Sequence, residues 1–476
     1  MSRPLACLAV LLAALPAVAQ TANGEPLRLT LHPAALPQPS LKYRLLPDRG
    51  EQEPGNAATL YYRSEAMYFD NKPLLQDVQG GAWEVWAEMP LNDLPLYEIR
   101  ARLESAEPIL QEIDRAASLR DCDWQLDRRP EGIALLIPEV QGFRGVARVL
   151  IVRARYEIAR GHYAEAVAAL RSGYAFAHRI AAGPSLIHVL VGIAITAVLD
   201  KQLETLVQQP GAPNLYWALT VLPRPFADLG PALQNESVWL EAMWPALKRL
   251  DRGPMTAEQL LAFRRDIDKS VERLAIRRQP AVEAAVQLWE DMRAYPEAWR
   301  GLRQQGFTTA QLKGMPAFQV VALWAYRDYR DAWQEYAKWL VVPSFAREKG
   351  YRQAGERLRQ ASDRLDVCVL TGGVLKRLGL GPSPYEKVFE AVHRIDRRFA
   401  FLRCVEAIRL YAANHGGKLP ASLGDITEVP VPVEPVTGRP FEYEATGDKA
   451  KLKLPLRPGE QAPPGQTAVY ELTLQR

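Results

Sequence analysis

From about Leu94 to Asn414 apolar residues recur at steps of three and four, and such a stretch can bury them on one side only as packed helices. Leu103, Ala106, Leu110, Ile113 and Ala117 trace one stripe, and Phe143, Val146, Ala147, Leu150, Ala154 and Ile158 another. Thr256 with Gln259, and Thr308 with Gln311, have the spacing of a capping box, in which each side chain bonds the other residue's backbone N–H. Glycine and proline at 211–213, 223–225, 253–254 and 343 interrupt the pattern and predict about ten helices. The segment from Ser185 to Leu199 is apolar almost throughout. As a helix it spans roughly 22 Å, short of the roughly 30 Å of a bilayer core. It is expected to be a helix buried on all sides, and no transmembrane span is expected in the mature chain.

The flanks have a different period. Leu27, Leu29 and Leu31 alternate with polar residues, as do Leu41, Tyr43 and Leu45, and both runs read as half-buried strands. Asn56 is placed to cap a helix reaching about Phe69. After Asn414, the sequence His415-Gly416-Gly417 ends a long helix, and Phe441–Tyr443, Ala450–Leu454 and Ala468–Leu474 read as short strands. The expected fold class is therefore mainly α. It is an irregular multi-helix domain with a short N-terminal extended or β segment and a small C-terminal α+β module. The expected divisions are a signal peptide at 1–19, the extended segment at 20–90, the helical domain at 91–384 and the helix-plus-sheet module at 385–476.

The first nineteen residues set the expected location. Arg3 precedes an apolar run from Leu5 to Leu15, and Ala17-Val18-Ala19 is a small-x-small cleavage pattern. Export to the periplasm or cell envelope follows, with Cys122, Cys368 and Cys404 left in the mature chain. An odd count in an oxidising compartment leaves at least one thiol outside an internal disulfide; Cys368 with Cys404 is one pairing, and two buried thiols are the other reading. The formal charge of +4 is spread among both signs, so there is no clustered basic face and no nucleic-acid partner is expected.

The stretch Ala154 to Gly173 resembles one tetratricopeptide unit, with Gly161 at the turn and Tyr163 between the helices, although no second copy follows at that period. Three passages together resemble an uncharacterised exported protein family of planctomycete-type bacteria. They are Leu41–Pro47 with Pro54-Gly55-Asn56-Ala57-Ala58, then Cys122-Asp123-Trp124, then Pro213–Leu219. The tail, with Ala407–Tyr411, Gly417-Lys418-Leu419-Pro420 and Glu434–Tyr443, is similar to the end of the major pseudopilin of type II secretion. That likeness implies a helix crossed by a three-stranded sheet. Glu434 replaces the usual aspartate, and the N-terminal pilin helix has no counterpart.

Chemistry is harder to find. No H-E-x-x-H, G-x-S-x-G, P-loop or G-x-G-x-x-G occurs, and the six histidines never fall at metal-ligand spacing, so no metal, cofactor or catalytic residue is assigned. His188, early in the apolar helix, reads either as a base tuned by burial or as a core histidine bonded to a neighbour; His178 reads alike. Cys122 is a poor nucleophile beside Asp123. Trp324, Tyr326, Tyr329, Trp333 and Tyr336 crowd one helix and form either a stacking or partner-binding surface or an aromatic core. The arginine-rich run from Arg347 to Arg364 is punctuated by Glu348, Glu356 and Asp363 and reads as a solvated face. The leading expectation is a non-enzymatic envelope protein acting on a protein partner. The rivals are a hydrolase with an acid and a base on separate helices, and an accessory of a secretion or pilus system.

Overall fold

The computed structural model describes residues 26–70, 81–125, 137–273, 281–340, 342, 344–367, 382–456, 462 and 466–475. The leader-like segment and Cys368 lie outside them, as does Pro343.

The fold is mainly helical, with a few strands near the two ends. The strands are β1 (Leu27–Leu31), β2 (Glu53–Asn56), β3 (Leu119–Asp121), β4 (Glu442–Thr446), β5 (Lys449–Lys453) and β6 (Val469–Leu474). The helices begin with α1 (Ala57–Asp70), α2 (Ala82–Glu88), α3 (Leu96–Ser105), α4 (Glu107–Ala117) and α5 (Ile137–Ala159). They continue with α6 (Tyr163–Ala181), α7 (Leu186–Val207), α8 (Tyr216–Thr220), α9 (Gly230–Met243) and α10 (Ala257–Arg273). The last are α11 (Ala281–Gln304), α12 (Thr309–Gly314), α13 (Ala317–Leu340), α14 (Ser344–Val367) and α15 (Pro382–Asn414). Of these fifteen among the described residues, thirteen lie between Leu94 and Asn414, where about ten are expected, because α8 and α12 are only a turn or two long and too short to display a period.

The described residues fall into two compact units. One takes those up to Gln125, Pro138–Leu229 and those from Glu390 onward, and the other takes Ile137 and Gly230–Phe389. The expected single helical domain at 91–384 is therefore divided. A helical period shows which face of a helix is buried and not which other helices share its core.

In the first unit, β1, β6, β5 and β4 form one sheet in that order. β1 runs parallel to β6, with Leu27 opposite Tyr470 and Leu31 opposite Leu474, so the extended N-terminal segment belongs to the same sheet as the tail. β4, β5 and β6 are an antiparallel meander. Gly447, at φ +62°, takes the first of the two loop positions between β4 and β5, where a type II′ hairpin needs a positive φ. Leu29, Leu31, Leu452, Tyr470 and Leu472 turn one face of this sheet onto Phe401, Val405 and Ile408 of α15. Each leucine buried there contributes about 1.5–3 kcal/mol before the entropy of ordering it.

The second predicted strand, Leu41 to Leu45, does not form. The Lys42 N–H closes a turn on the Pro39 carbonyl, and Leu41 is 43% exposed while Leu45 is fully buried. Alternation alone gives a strand no neighbour to pair with.

The expected α5–α6 hairpin is present, with Gly161 at φ +74° in its turn. Tyr163 is half-buried, and its hydroxyl donates to the Pro210 carbonyl. α7 is long and apolar enough to cross a membrane, and here most of it is buried inside the unit. Gly192 lets it approach α6 closely, since a Cβ at that position would lie 2.6 Å from the Ala177 carbonyl oxygen.

The second unit closes around Trp244, Phe263, Leu302 and the Val320–Tyr326 face of α13. Both predicted capping boxes are formed, at Thr256–Gln259 and Thr308–Gln311.

Candidate functional site

The aromatic stripe of α13 is mostly interior. Trp324 and Tyr326 lie in the core of the second unit, with Tyr329 packed half-buried against it. Trp333 and Tyr336 are 2% and 0% exposed, and the Trp333 ring stands 4.6 Å from that of Tyr385. The surface expected for sugar stacking or partner binding is thus not presented by these residues, because the face they share is the one that closes the core. The basic run on α14 is ion-paired as a solvated face would be, Arg359 with Glu356 and Asp363, and Arg364 with Asp328.

The first unit gathers its functional groups at two centres. The first is built around Trp124. The Asn56 side chain caps α1 through the Ala58 N–H (3.1 Å) and clasps the backbone of Asp123, accepting its N–H at 2.8 Å and donating to its carbonyl at 2.7 Å. Asn56 is thereby joined to the Cys122-Asp123-Trp124 stretch. Trp124 donates its indole N–H to the Arg179 carbonyl and packs between Tyr61, Phe143 and His188. Elsewhere in the unit, the buried Asn214 amide donates to the carbonyls of Ala34 and Glu406.

Three nucleophile-type groups occur at or near this centre, and each is engaged or quenched. Burial pushes the Cys122 thiol up to about 12, against the pull of Arg179, so it is not a thiolate at neutral pH. Burial brings His188 down to about 4, leaving the imidazole neutral and a weak base. Ser185 lies 2.8 Å from His188 Nδ1, but the same hydroxyl is the N-cap of α7 and accepts the His188 N–H. No carboxylate among the described residues bonds His188 Nε2 to orient it as a catalytic base. The bonded core histidine is the reading that fits. His178 is likewise tied, 2.9 Å from the Phe226 carbonyl, and burial lowers its pKa.

The second centre matches no motif in the sequence. Asp200, at the far end of α7, is fully buried. Tyr174 of α6 donates to its Oδ1 at 2.7 Å, while Oδ2 has no hydrogen-bond partner among the described residues. One turn on, Glu204 takes both arms of the Arg398 guanidinium from α15, at 2.9 and 2.6 Å, and the Tyr470 hydroxyl from β6 at 3.3 Å. Burial pushes Asp200 up to about 7, with Arg398 and Tyr174 opposing the rise. Burial also works against the charge of Arg398, yet Glu204 holds its pKa above the ordinary value. The clue available in sequence was a pair of carboxylates at i and i+4 in the last turns of α7, the most apolar helix among the described residues, a spacing that puts both on one face.

Two further charged joints lie in the same unit. Arg409 is fully buried and donates to Glu406 and to the carbonyls of His32 and Ala212. Arg397 bonds Glu434 at 2.8 Å, and Glu434 also receives the N–H groups of Val436 and Thr437, which shapes the Glu434–Gly438 turn. Cys404 is buried with a free thiol, its sulfur 3.9 Å from the Pro432 carbonyl oxygen, and the alternative of a pairing with Cys368 falls outside the described residues. No known protein family, curated protein or solved structure matches the chain.

Proposed function

We propose that the chain is an exported protein of the cell envelope that acts through protein contacts and not by catalysis. One observation carries this reading: the thiol, hydroxyl and imidazole best suited to nucleophilic chemistry are engaged in holding the fold. Cys122 is a buried thiol, Ser185 a helix cap and His188 a neutral core imidazole. The proposal of export rests on Arg3, the apolar run and Ala17-Val18-Ala19. Membership of the planctomycete-type exported family rests on the three passages, whose Asn56 and Asn214 side chains clasp backbone of other segments.

A second reading, an accessory of a secretion or pilus system, is favoured by the packing of the β4–β5–β6 meander on α15 and by the Glu434 turn. It narrows the partner without changing the mode of action.

Affinity purification of the mature protein from its native envelope, after chemical cross-linking, tests both. A discrete heteromeric adduct is expected, and a pseudopilin-type subunit in it would favour the narrower reading. Recovery of the chain alone counts against the proposal. Hydrolytic turnover that disappears in a folded Ser185→Ala or His188→Ala variant would overturn it in favour of the hydrolase alternative.

A further inference from the structure

We propose that Asp200 is a neutral carboxylic acid in the folded protein, and that its ionisation loosens the joint of α6, α7, α15 and β6, making that joint a proton-operated latch. The geometry leads there. Four elements meet at this point, and the titratable or charged groups they turn toward Asp200 are Tyr174 from α6, Glu204 from α7 itself, Arg398 from α15 and Tyr470 from β6. Two carboxyls thus share one guanidinium, and Glu204 takes both of its arms. Asp200 is left with a single phenol donor on Oδ1 and none on Oδ2.

An ionised carboxylate with an orphan oxygen in a dry interior is far costlier than the neutral acid. A second negative charge one turn away adds repulsion. Burial accordingly pushes the carboxyl up from 3.8 to about 7. The folded state therefore holds a proton that the unfolded chain has released over the interval between those two values. Stability from this group is full below about pH 4, falls as pH rises, and is lost above about pH 7.

Two measurements on the intact chain test the latch. The first is the infrared difference spectrum of wild type minus Asp200→Asn. At about pH 6 it should contain the carbonyl band of a protonated carboxyl, and the band should fade by about pH 8. The second is unfolding in urea. Between about pH 4 and 7 the wild-type unfolding constant should grow by up to about tenfold per pH unit relative to the Asn variant. Absence of the band, or a wild-type-to-variant ratio flat with pH, overturns the proposal. Should Asp200→Asn fail to fold, Tyr174→Phe serves instead. Removing the one donor should move the midpoint of the band upward, and an unmoved midpoint overturns the proposal equally.

Discussion

The two units of this chain build their interiors differently. Among the described residues the second unit buries Gln319 and Ser362 as its polar side chains and otherwise closes on aromatic and aliphatic groups. The first buries Asp200, Glu204, Arg397, Glu406, Arg409 and Glu434. The charges stand where segments far apart in sequence must meet. Arg398 reaches Glu204 across 194 residues, and Arg409 reaches the His32 carbonyl across 377. Helices near one another in sequence can be closed by non-directional apolar packing. Where an N-terminal strand, a central helix and a C-terminal helix must register, directional charged bonds penalise every misaligned arrangement, because each would leave a buried charge unpaired.

The largest expected effect tests that contrast directly. Arg409→Ala strands Glu406 and three backbone carbonyls, those of His32, Ala212 and Pro213, and should cost about 3–5 kcal/mol in urea-denaturation stability. Glu406 is already raised by burial, and without the arginine it is raised further. Its stabilising contribution as a neutral acid is full at low pH and lost as pH rises through the folded value, so the deficit should shrink on acidification. A loss below about 1 kcal/mol would mean the ion pair merely fills space, since even a net hydrogen bond is worth that much.

Gln319→Leu probes the opposite unit. Gln319 donates to the Leu250 and Gly253 carbonyls and accepts the Met255 N–H, so the variant should lose about 1–3 kcal/mol, with little dependence on pH. A cost equal to that of Arg409→Ala would erase the distinction between the units. The smallest effect is expected from Ser185→Ala, a local contact within the charged unit. Loss of the cap should cost about 1 kcal/mol by the same measurement, which would show that sequence separation and charge, not the unit itself, set the scale.

The boundaries that were legible in sequence are those set within a few residues. Gly161 turns the α5–α6 hairpin, Gly416 and Gly417 follow α15, and Thr256 and Thr308 open their helices because capping groups bond backbone two or three residues away. The three tail strands also fell close to their predicted places, since their alternation matched a face that was in fact covered. The Leu41–Leu45 alternation looked the same on paper and formed no strand, for want of a partner. The α13 stripe was equally ambiguous: an aromatic row at helical spacing is identical whether it faces solvent or a core, and only its contacts with Tyr385 and the Val320–Tyr326 neighbours decided.

By itself the amino-acid order determined a mainly helical chain, its principal helix boundaries and a strand-bearing tail, all consequences of hydrogen bonds and periodicities that act over one or two turns. Tertiary structure alone decided that β1 lies beside β6 and that Asp200 faces Tyr174 beside the Glu204–Arg398 pair. It also decided that Cys122 and His188 are uncharged, because desolvation depends on which distant segments exclude water from a side chain.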